Sequence, residues 1–375
     1  MISKIRHNKQ CNIKRTKIQL ANIKPANIRL GNFRNRLTTK PIRSTLSIFM
    51  LSTLMCFGTA LSTVHAKSND QINTTFSSIL EQERTWAGLK SQKKQVAEIE
   101  WHYSEGGDAS KPTVLLIHGL SGTRDNWNRV VHYLTPYYHV IIPDLPFHGD
   151  TKVPKDFDSS VPNLTEKLKR FTEALGINDS IHVAGHSLGG AIAYLYSAQY
   201  SHKIDSLLLM NAAGVYKTAN TVYLKDPTQL KSLIVDQSGD FDQLLKLAMA
   251  NPPFIPKEIL KEQEALMIKN SSQTQHVIDQ IVMIQKAFTP DSFVMAGRII
   301  DSPVLILWGD QDRIVNKEVA QELQSLLKNA EKPIIYKDVG HMPLLELDQV
   351  VAQDYLKFLN KVQLAKKKQN TQTAP

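Results

Sequence analysis

The apolar positions of this chain follow two rhythms. Runs of adjacent apolar residues recur at 113–117 (TVLLI), 139–142 (HVII), 181–184 (IHVA), 206–210 (SLLLM) and 303–307 (PVLIL). Short runs that are apolar on both faces predict strands buried on both sides. Residues 96–103 alternate and predict a further strand, and 333–336 another. Between the runs, apolar residues stand three or four apart, which predicts helices at 126–134, 163–175, 188–200, 317–327 and 349–359. Strand and helix in alternation make an α/β fold with a mostly parallel sheet flanked by helices.

The alternation breaks once. From 215 to 300 the spacing is helical throughout, punctuated by Pro252, Pro253, Pro256 and Pro290, and reads as an inserted helical cap. Its apolar clusters include Leu244, Leu245, Leu247, Ile278 and Met283. Such clusters either pack on the main body or line an acyl groove, and the pattern leaves both open. The organisation expected is therefore a leader at 1–66, a lead-in helix at 67–95, core at 96–214, cap at 215–300, core again at 301–362 and a flexible tail at 363–375. The lead-in helix rests on Ile72, Phe76, Ile79 and Leu80.

Charge matters here through its placement. The 375 residues include 45 Lys and Arg against 35 Asp and Glu, a formal +10. Taken alone, that balance suits nucleic acid or an anionic membrane. Residues 1–66, however, hold 12 of the basic side chains and none of the acidic ones, leaving 33 against 35 elsewhere, a net of −2. No nucleic-acid partner is expected. Cys11 and Cys56 also lie in the leader, so a disulfide scaffold, a zinc finger and a cysteine nucleophile are excluded from the rest.

The leader has its own pattern. Residues 44–62 (STLSIFMLSTLMCFGTALS) carry no charge, follow Arg43 and precede Thr63-Val64-His65-Ala66. A basic arm, an apolar run and a small-x-Ala ending predict a secretory signal peptide cleaved after Ala66. The protein is then exported: secreted, periplasmic or on the outer surface. The alternative is an uncleaved anchor through 44–62, a run short for a membrane span and diluted by Ser and Thr.

The chemistry concentrates at the ends of the predicted strands. Gly185-His186-Ser187-Leu188-Gly189 joins the strand IHVA to an Ala- and Gly-rich helix. In that setting a G-x-S-x-G turn pushes the Ser187 hydroxyl into the open, and the helix N-terminus faces a developing oxyanion. After TVLLI come His118-Gly119-Leu120-Ser121-Gly122, a turn able to aim the Leu120 N–H at the same oxygen; the Leu188 N–H is the second donor. His118 itself reads as structural.

An activated serine needs a neutral imidazole and a carboxylate to orient it, in chain order Ser, acid, His. Of His202, His276 and His341, only His341 follows the last strand in a loop. Asp310 and Asp312 compete for the acid after PVLIL, and Asp312, three residues past Gly309, is better placed to hold the ring. The strand before it ends at Asn211, which offers no acid. Asp144-Leu145-Pro146-Phe147-His148-Gly149 reads as a tight loop with Asp144 bonding its amides; the alternative is a pocket wall made by Phe147 or His148.

HGLSG (118–122), DLPFHG (144–149), GHSLGG (185–190), WGDQD (308–312) and Gly340-His341 occur in an order and spacing that resembles the α/β-hydrolase superfamily over about 96–359. Within it, the leader, lead-in helix and cap resemble the lipases of cold-living Gram-negative bacteria such as Moraxella and Psychrobacter. The resemblance implies a serine hydrolase of carboxylic esters, triacylglycerols included, that needs no metal or organic cofactor and meets an acyl-ester or lipid substrate, with a lipid interface as a possible partner. Two positions depart from the commoner pattern: Phe147, where glycine is frequent, and Leu188, where many relatives have Met. A short-chain esterase and a carbon–carbon bond hydrolase or perhydrolase of the same fold keep the same three residues. A non-catalytic protein that binds an apolar ligand is the reading outside enzymes.

Overall fold

Eight strands form one sheet, in the spatial order β1-β2-β4-β3-β5-β6-β7-β8. They are β1 (Leu89–Val96), β2 (Ile99–Gly106), β3 (Thr113–Ile117), β4 (His139–Pro143), β5 (Ile181–His186), β6 (Ile204–Met210), β7 (Val304–Gly309) and β8 (Ile334–Tyr336). This computed structural model describes residues 75–373, apart from residue 286. The leader, the cleavage point after Ala66 and the alternative anchor at 44–62 lie outside the described residues. β1 and β2 form an antiparallel hairpin and β2 pairs antiparallel with β4; the other pairs are parallel.

The apolar runs split cleanly between the two faces of the sheet. Leu115, Ile117, Ile141, Leu207, Leu209, Ile306 and Trp308 join one buried cluster. Their chain neighbours Val114, Leu116, Val140, Ile142, Leu208, Met210 and Leu307 join the other. This is the two-residue period of a strand, with both faces dry. The helices of eight residues or more are α1 (Thr75–Trp86), α2 (Val161–Ala174), α3 (Leu188–Gln199), α4 (Asp240–Ala248), α5 (Lys257–Lys269), α6 (Ser271–Gln285), α7 (Pro290–Gly297), α8 (Glu318–Leu326) and α9 (Asp348–Thr373). On α9 the buried stripe is Val351, Ala352, Tyr355, Phe358, Leu359 and Val362, a helical spacing.

Three elements differ from expectation. The lead-in helix stops at Trp86, and Leu89–Val96 is an edge strand. Its sequence, LKSQKKQV, is exposed over its middle, so no apolar pattern announces it; lysines on a sheet edge also discourage pairing with another chain. The helix read at 126–134 is a 3-10 turn (Arg124–Trp127) followed by one α turn (Asn128–Val131). The tail stays helical to Thr373, where Lys366 Nζ meets both Asp205 carboxylate oxygens at 2.8 Å.

Between β6 and β7 run α4 to α7, preceded by two short turns (Val222–Lys225 and Pro227–Leu233). This segment shares the first apolar cluster through Leu233, Ala248 and Val277. The clusters singled out in the sequence part company here. Ile278 is buried, Leu247 packs on the core, Leu244 and Leu245 line a cavity, and Met283 is exposed. Among the described residues no helix is long and apolar enough to cross a membrane.

Candidate active site

The expected site residues stand at the carboxyl ends of adjacent strands, where open parallel sheets bind ligands. Ser187 follows β5, Asp312 follows β7 and His341 follows β8. Ser187 has φ 53° and ψ −119°, a conformation a non-glycine residue adopts only when its surroundings enforce it. The enforcement is visible around it. A Cβ on Gly185 would stand 2.1 Å from the Gly189 carbonyl oxygen, and one on Gly189 would stand 2.3 Å from that of Ile117. The turn can form only because both positions lack a side chain. Backbone bonds complete it: the Ser187 N–H donates to Met210 O at 3.1 Å, and Ser187 O accepts from Gly190 N–H at 2.8 Å.

The acid and the imidazole meet. The His341 Nδ1–H donates to Asp312 Oδ2 at 2.8 Å, both groups buried. The same oxygen accepts from Asn211 Nδ2 at 2.7 Å, while Oδ1 accepts the N–H groups of Ile314 at 2.8 Å and Val315 at 2.9 Å. The carboxylate is thus fully engaged as an acceptor and fixed in rotation. With Nδ1 carrying the proton, Nε2 of His341 is left as the basic nitrogen. Asp310 is engaged elsewhere: its Oδ1 accepts the Asp338 N–H at 2.7 Å. His202 sits in the turn Ser201–Lys203, and His276, on α6, bonds Phe157 O at 3.0 Å.

Leu120 and Leu188 line the same cavity as Ser187. Gly119 passes so close that a Cβ there would be 3.0 Å from Ser187 Cβ, and Leu120 follows it in the chain. Leu188 opens α3, in the first turn where N–H groups lack intrahelical acceptors. His118 is spent on structure: Nδ1–H donates to Gly119 O at 2.8 Å and Nε2 accepts the Leu145 N–H at 2.9 Å. Burial holds its pKa well below the ordinary imidazole value.

Asp144 accepts the N–H groups of Arg124 at 2.7 Å and Asp150 at 2.9 Å and pairs with the Arg124 guanidinium. Burial pushes this carboxyl up to about 6 against the pull of Arg124. Neither Phe147 nor His148 is among the cavity-lining residues. Phe147 has φ 63°, the left-handed region that makes glycine frequent there; its ring lies 4.5 Å from that of His276 on the cap.

Gly119, Leu120, Ser187, Leu188 and His341 line one cavity of about 310 Å³. Its remaining wall is chiefly apolar, with Leu230, Leu233, Phe241, Leu244 and Leu245 on one side and Tyr194, Phe293 and Ala296 on another. No Lys, Arg, Asp or Glu lines it among the described residues. Nor do three His, Cys, Asp or Glu side chains gather as a metal site among them.

Two supporting residues escaped the sequence reading. Asn211, dismissed for want of an acid, bonds the acid itself. His186, inside the elbow pentapeptide, donates from Nε2 to the His341 carbonyl at 2.7 Å, and burial pushes it down to about 3, so it stays neutral. Both bonds join the ends of β5, β6, β7 and β8, which stand side by side in the sheet.

A family model for the alpha/beta hydrolase fold matches residues 112–347. Lipase 1 of Psychrobacter immobilis is 30% identical over 317 residues, 83% of this chain and 95% of that protein. The crystal structure of a candidate lipase from Acinetobacter baumannii AYE is 58% identical, with a TM-score of 0.77 over 80% of this chain and 100% of that one. A membrane phospholipase A, described as a bacterial virulence factor, is 32% identical with a TM-score of 0.72 over 77% of this chain and 91% of its own. With its sheet order, its serine elbow and these likenesses together, the chain belongs to the alpha/beta hydrolase family.

Proposed function

We propose that this chain is an exported serine hydrolase of carboxylic esters, a lipase acting on triacylglycerols or other acyl esters. One observation carries the reading: a serine held on a strained elbow and an Asp-bonded imidazole open on the same apolar cavity. In the mechanism, Ser187 Oγ attacks the ester carbonyl while His341 Nε2 takes its proton. Asp312 holds the ring and stabilises the imidazolium. The N–H groups of Leu120 and Leu188 receive the oxyanion, an interaction whose loss typically lowers kcat by about 10²–10³. Collapse expels the alcohol, protonated by His341. Water, deprotonated by the same nitrogen, then frees the acid and restores Ser187.

The wall of the cavity supports an acyl chain as its occupant. It offers no cation to a substrate carboxylate among the described residues, which supports an uncharged acyl group over an anionic substrate. The names of the relatives, lipases and a phospholipase, support an ester substrate. The leader supports export.

Ser187→Ala is expected to abolish turnover of p-nitrophenyl esters and labelling by a fluorophosphonate; parental rates in that variant sink the assignment. Rates across triglyceride chain lengths separate lipase from short-chain esterase. A sharp preference for C2–C4 soluble esters leaves only the esterase. Fractionation with N-terminal sequencing tests export, with residue 67 expected as the first residue of the exported form.

A further inference from the structure

The loop that carries His341 is tied to the cap by one carboxylate. Glu346 Oε1 accepts the Gly340 N–H at 2.9 Å. Oε2 accepts the N–H groups of Ala250 at 2.9 Å and Asn251 at 2.8 Å. Glu346 therefore bridges the residue just before the imidazole and the chain just leaving α4. Three more bonds tie α4 and the chain just after it to the loops that carry Asp312 and His341. The His341 N–H donates to Ala248 O at 2.6 Å, Asn251 Nδ2 to Asp338 O at 2.6 Å, and Arg313 Nη1 to Lys246 O at 3.2 Å. The seam is tight: a Cβ on Gly340 would stand 2.6 Å from Ala248 O and 2.8 Å from Ala250 N.

The other face of this stretch looks into the cavity. Leu244, Leu245, Ala248 and Met249 are lining residues. One segment thus touches the space where the substrate sits and the backbone of the proton acceptor.

We propose that Glu346 is a positioning residue that couples filling of the apolar cavity to the placement of His341. The carboxylate seats the loop while the end of α4 is docked, and an acyl chain packed on Leu244, Leu245, Ala248 and Met249 helps to hold that end in place. This rests on the serine-hydrolase reading above. The chemistry of the acceptor is what makes Glu346 particular. A carboxylate has two acceptor oxygens for the three converging N–H groups, whereas a Gln amide keeps one and turns its NH₂ against a donor. A misplacement of about 1 Å at reacting groups lowers rate by about 10².

The test is Glu346→Gln in the full chain, assayed with p-nitrophenyl acetate and p-nitrophenyl octanoate, with thermal unfolding alongside. The expected result is unequal: kcat falls about 100-fold on acetate, which leaves the cavity wall unsupported, and about 10-fold on octanoate, which packs against it. KM is expected to move less than about threefold on either ester, because the lining side chains are unchanged. A purely structural role lowers both kcat values by one factor, and that outcome, or no loss at all, overturns the coupling. If the variant does not fold, Asn251→Ala removes only the bond to Asp338 O; the same ordering at smaller amplitude is expected, and equal or absent losses again overturn it. Ser187→Ala and His341→Ala run in parallel. Parental activity in either removes the serine-hydrolase reading itself; their inactivity beside equal losses in Glu346→Gln removes the coupling alone.

Discussion

Ser187 and His341 face one cavity, yet they are held there by opposite means. The serine turn is a steric construction. Glycines stand two before and two after the serine, and the carbonyls of Ile117, His118 and Gly189 leave no room there for a side chain. The imidazole loop is a polar construction. Asp312, Asn211, His186, Glu346 and the end of α4 each contribute hydrogen bonds, and they come from separate parts of the chain. Close packing tolerates almost no change and gives no graded response. A hydrogen-bonded loop can lose one contact and keep the rest. The comparison predicts that changes at the elbow are all-or-none in folding, whereas changes around His341 act on rate.

The largest expected effect tests the steric half. Gly189→Ala puts a Cβ 2.3 Å from Ile117 O and 2.5 Å from His118 O, both backbone atoms at the end of buried β3. Neither can retreat without breaking the ladder. A loss of at least about 4 kcal/mol is expected, seen as insoluble protein or a Tm lower by about 10 °C or more. A variant with parental Tm and parental fluorophosphonate labelling contradicts the steric account.

Asp312→Asn tests the polar half. The amide keeps the shape but sets an NH₂ against either the His341 Nδ1–H or the N–H groups of Ile314 and Val315. Under the proposed mechanism kcat falls by about 10³–10⁴ as the ring loses its tautomer and orientation. Tm is expected within a few degrees of the parent. A change in Tm as large as that of Gly189→Ala, with kcat per folded molecule preserved, reverses the assignment of roles.

The two halves were unequally legible in the sequence. The elbow is written locally: apolar strand, glycines two before and two after the serine, small residues beyond. The central strands are legible for the same reason, since five adjacent apolar residues have few other uses. Asp312 was separable from Asp310 by its distance from the turn glycine, and the structure adds that Asp310 is spent on the Asp338 amide. Glu346, Asn211 and His186 were opaque because each acts across the fold on a backbone group or another side chain. β1 was opaque for a different reason: an edge strand exposed on its residues has no apolar period to show.

Acid should lower the stability of the fold. His148, His182 and His186 are buried and neutral, pushed down by burial to about 4, about 4 and about 3, and His118 is held well below its ordinary value. In the unfolded chain each imidazole titrates near ~6.5. The unfolded state therefore binds these protons first, and stability present above ~6.5 drains away as pH falls toward about 4. Asp144, raised to about 6, works in the opposite sense between about 6 and ~3.8, one group against four. Tm is expected to drop by several degrees between pH 7 and pH 5. A Tm that is flat or rises over that interval means that these histidines are not held neutral in the folded state.

The smallest effect sharpens the comparison at the cavity wall. Its α7 side belongs to the steric half. The Tyr194 and Phe293 rings stack at 4.1 Å, the Tyr194 hydroxyl donates to Phe293 O at 2.7 Å, and a Cβ on Gly297 would stand 2.1 Å from that hydroxyl. Tyr194 lies on α3, the helix that the serine elbow opens. Ala296, beside these residues on α7, lines the cavity. Ala296→Phe should shorten the space without disturbing His341. The expected result is a fall of about 10-fold in kcat/KM on octanoate and less than about threefold on acetate, since a few methylenes are worth about that much in an apolar site. Contact on the α4 side, by the coupling through Glu346, spreads into kcat for every ester. If Ala296→Phe also lowers kcat on acetate as strongly as on octanoate, the two walls are not mechanically separate, and the division between a rigid serine side and a responsive imidazole side fails.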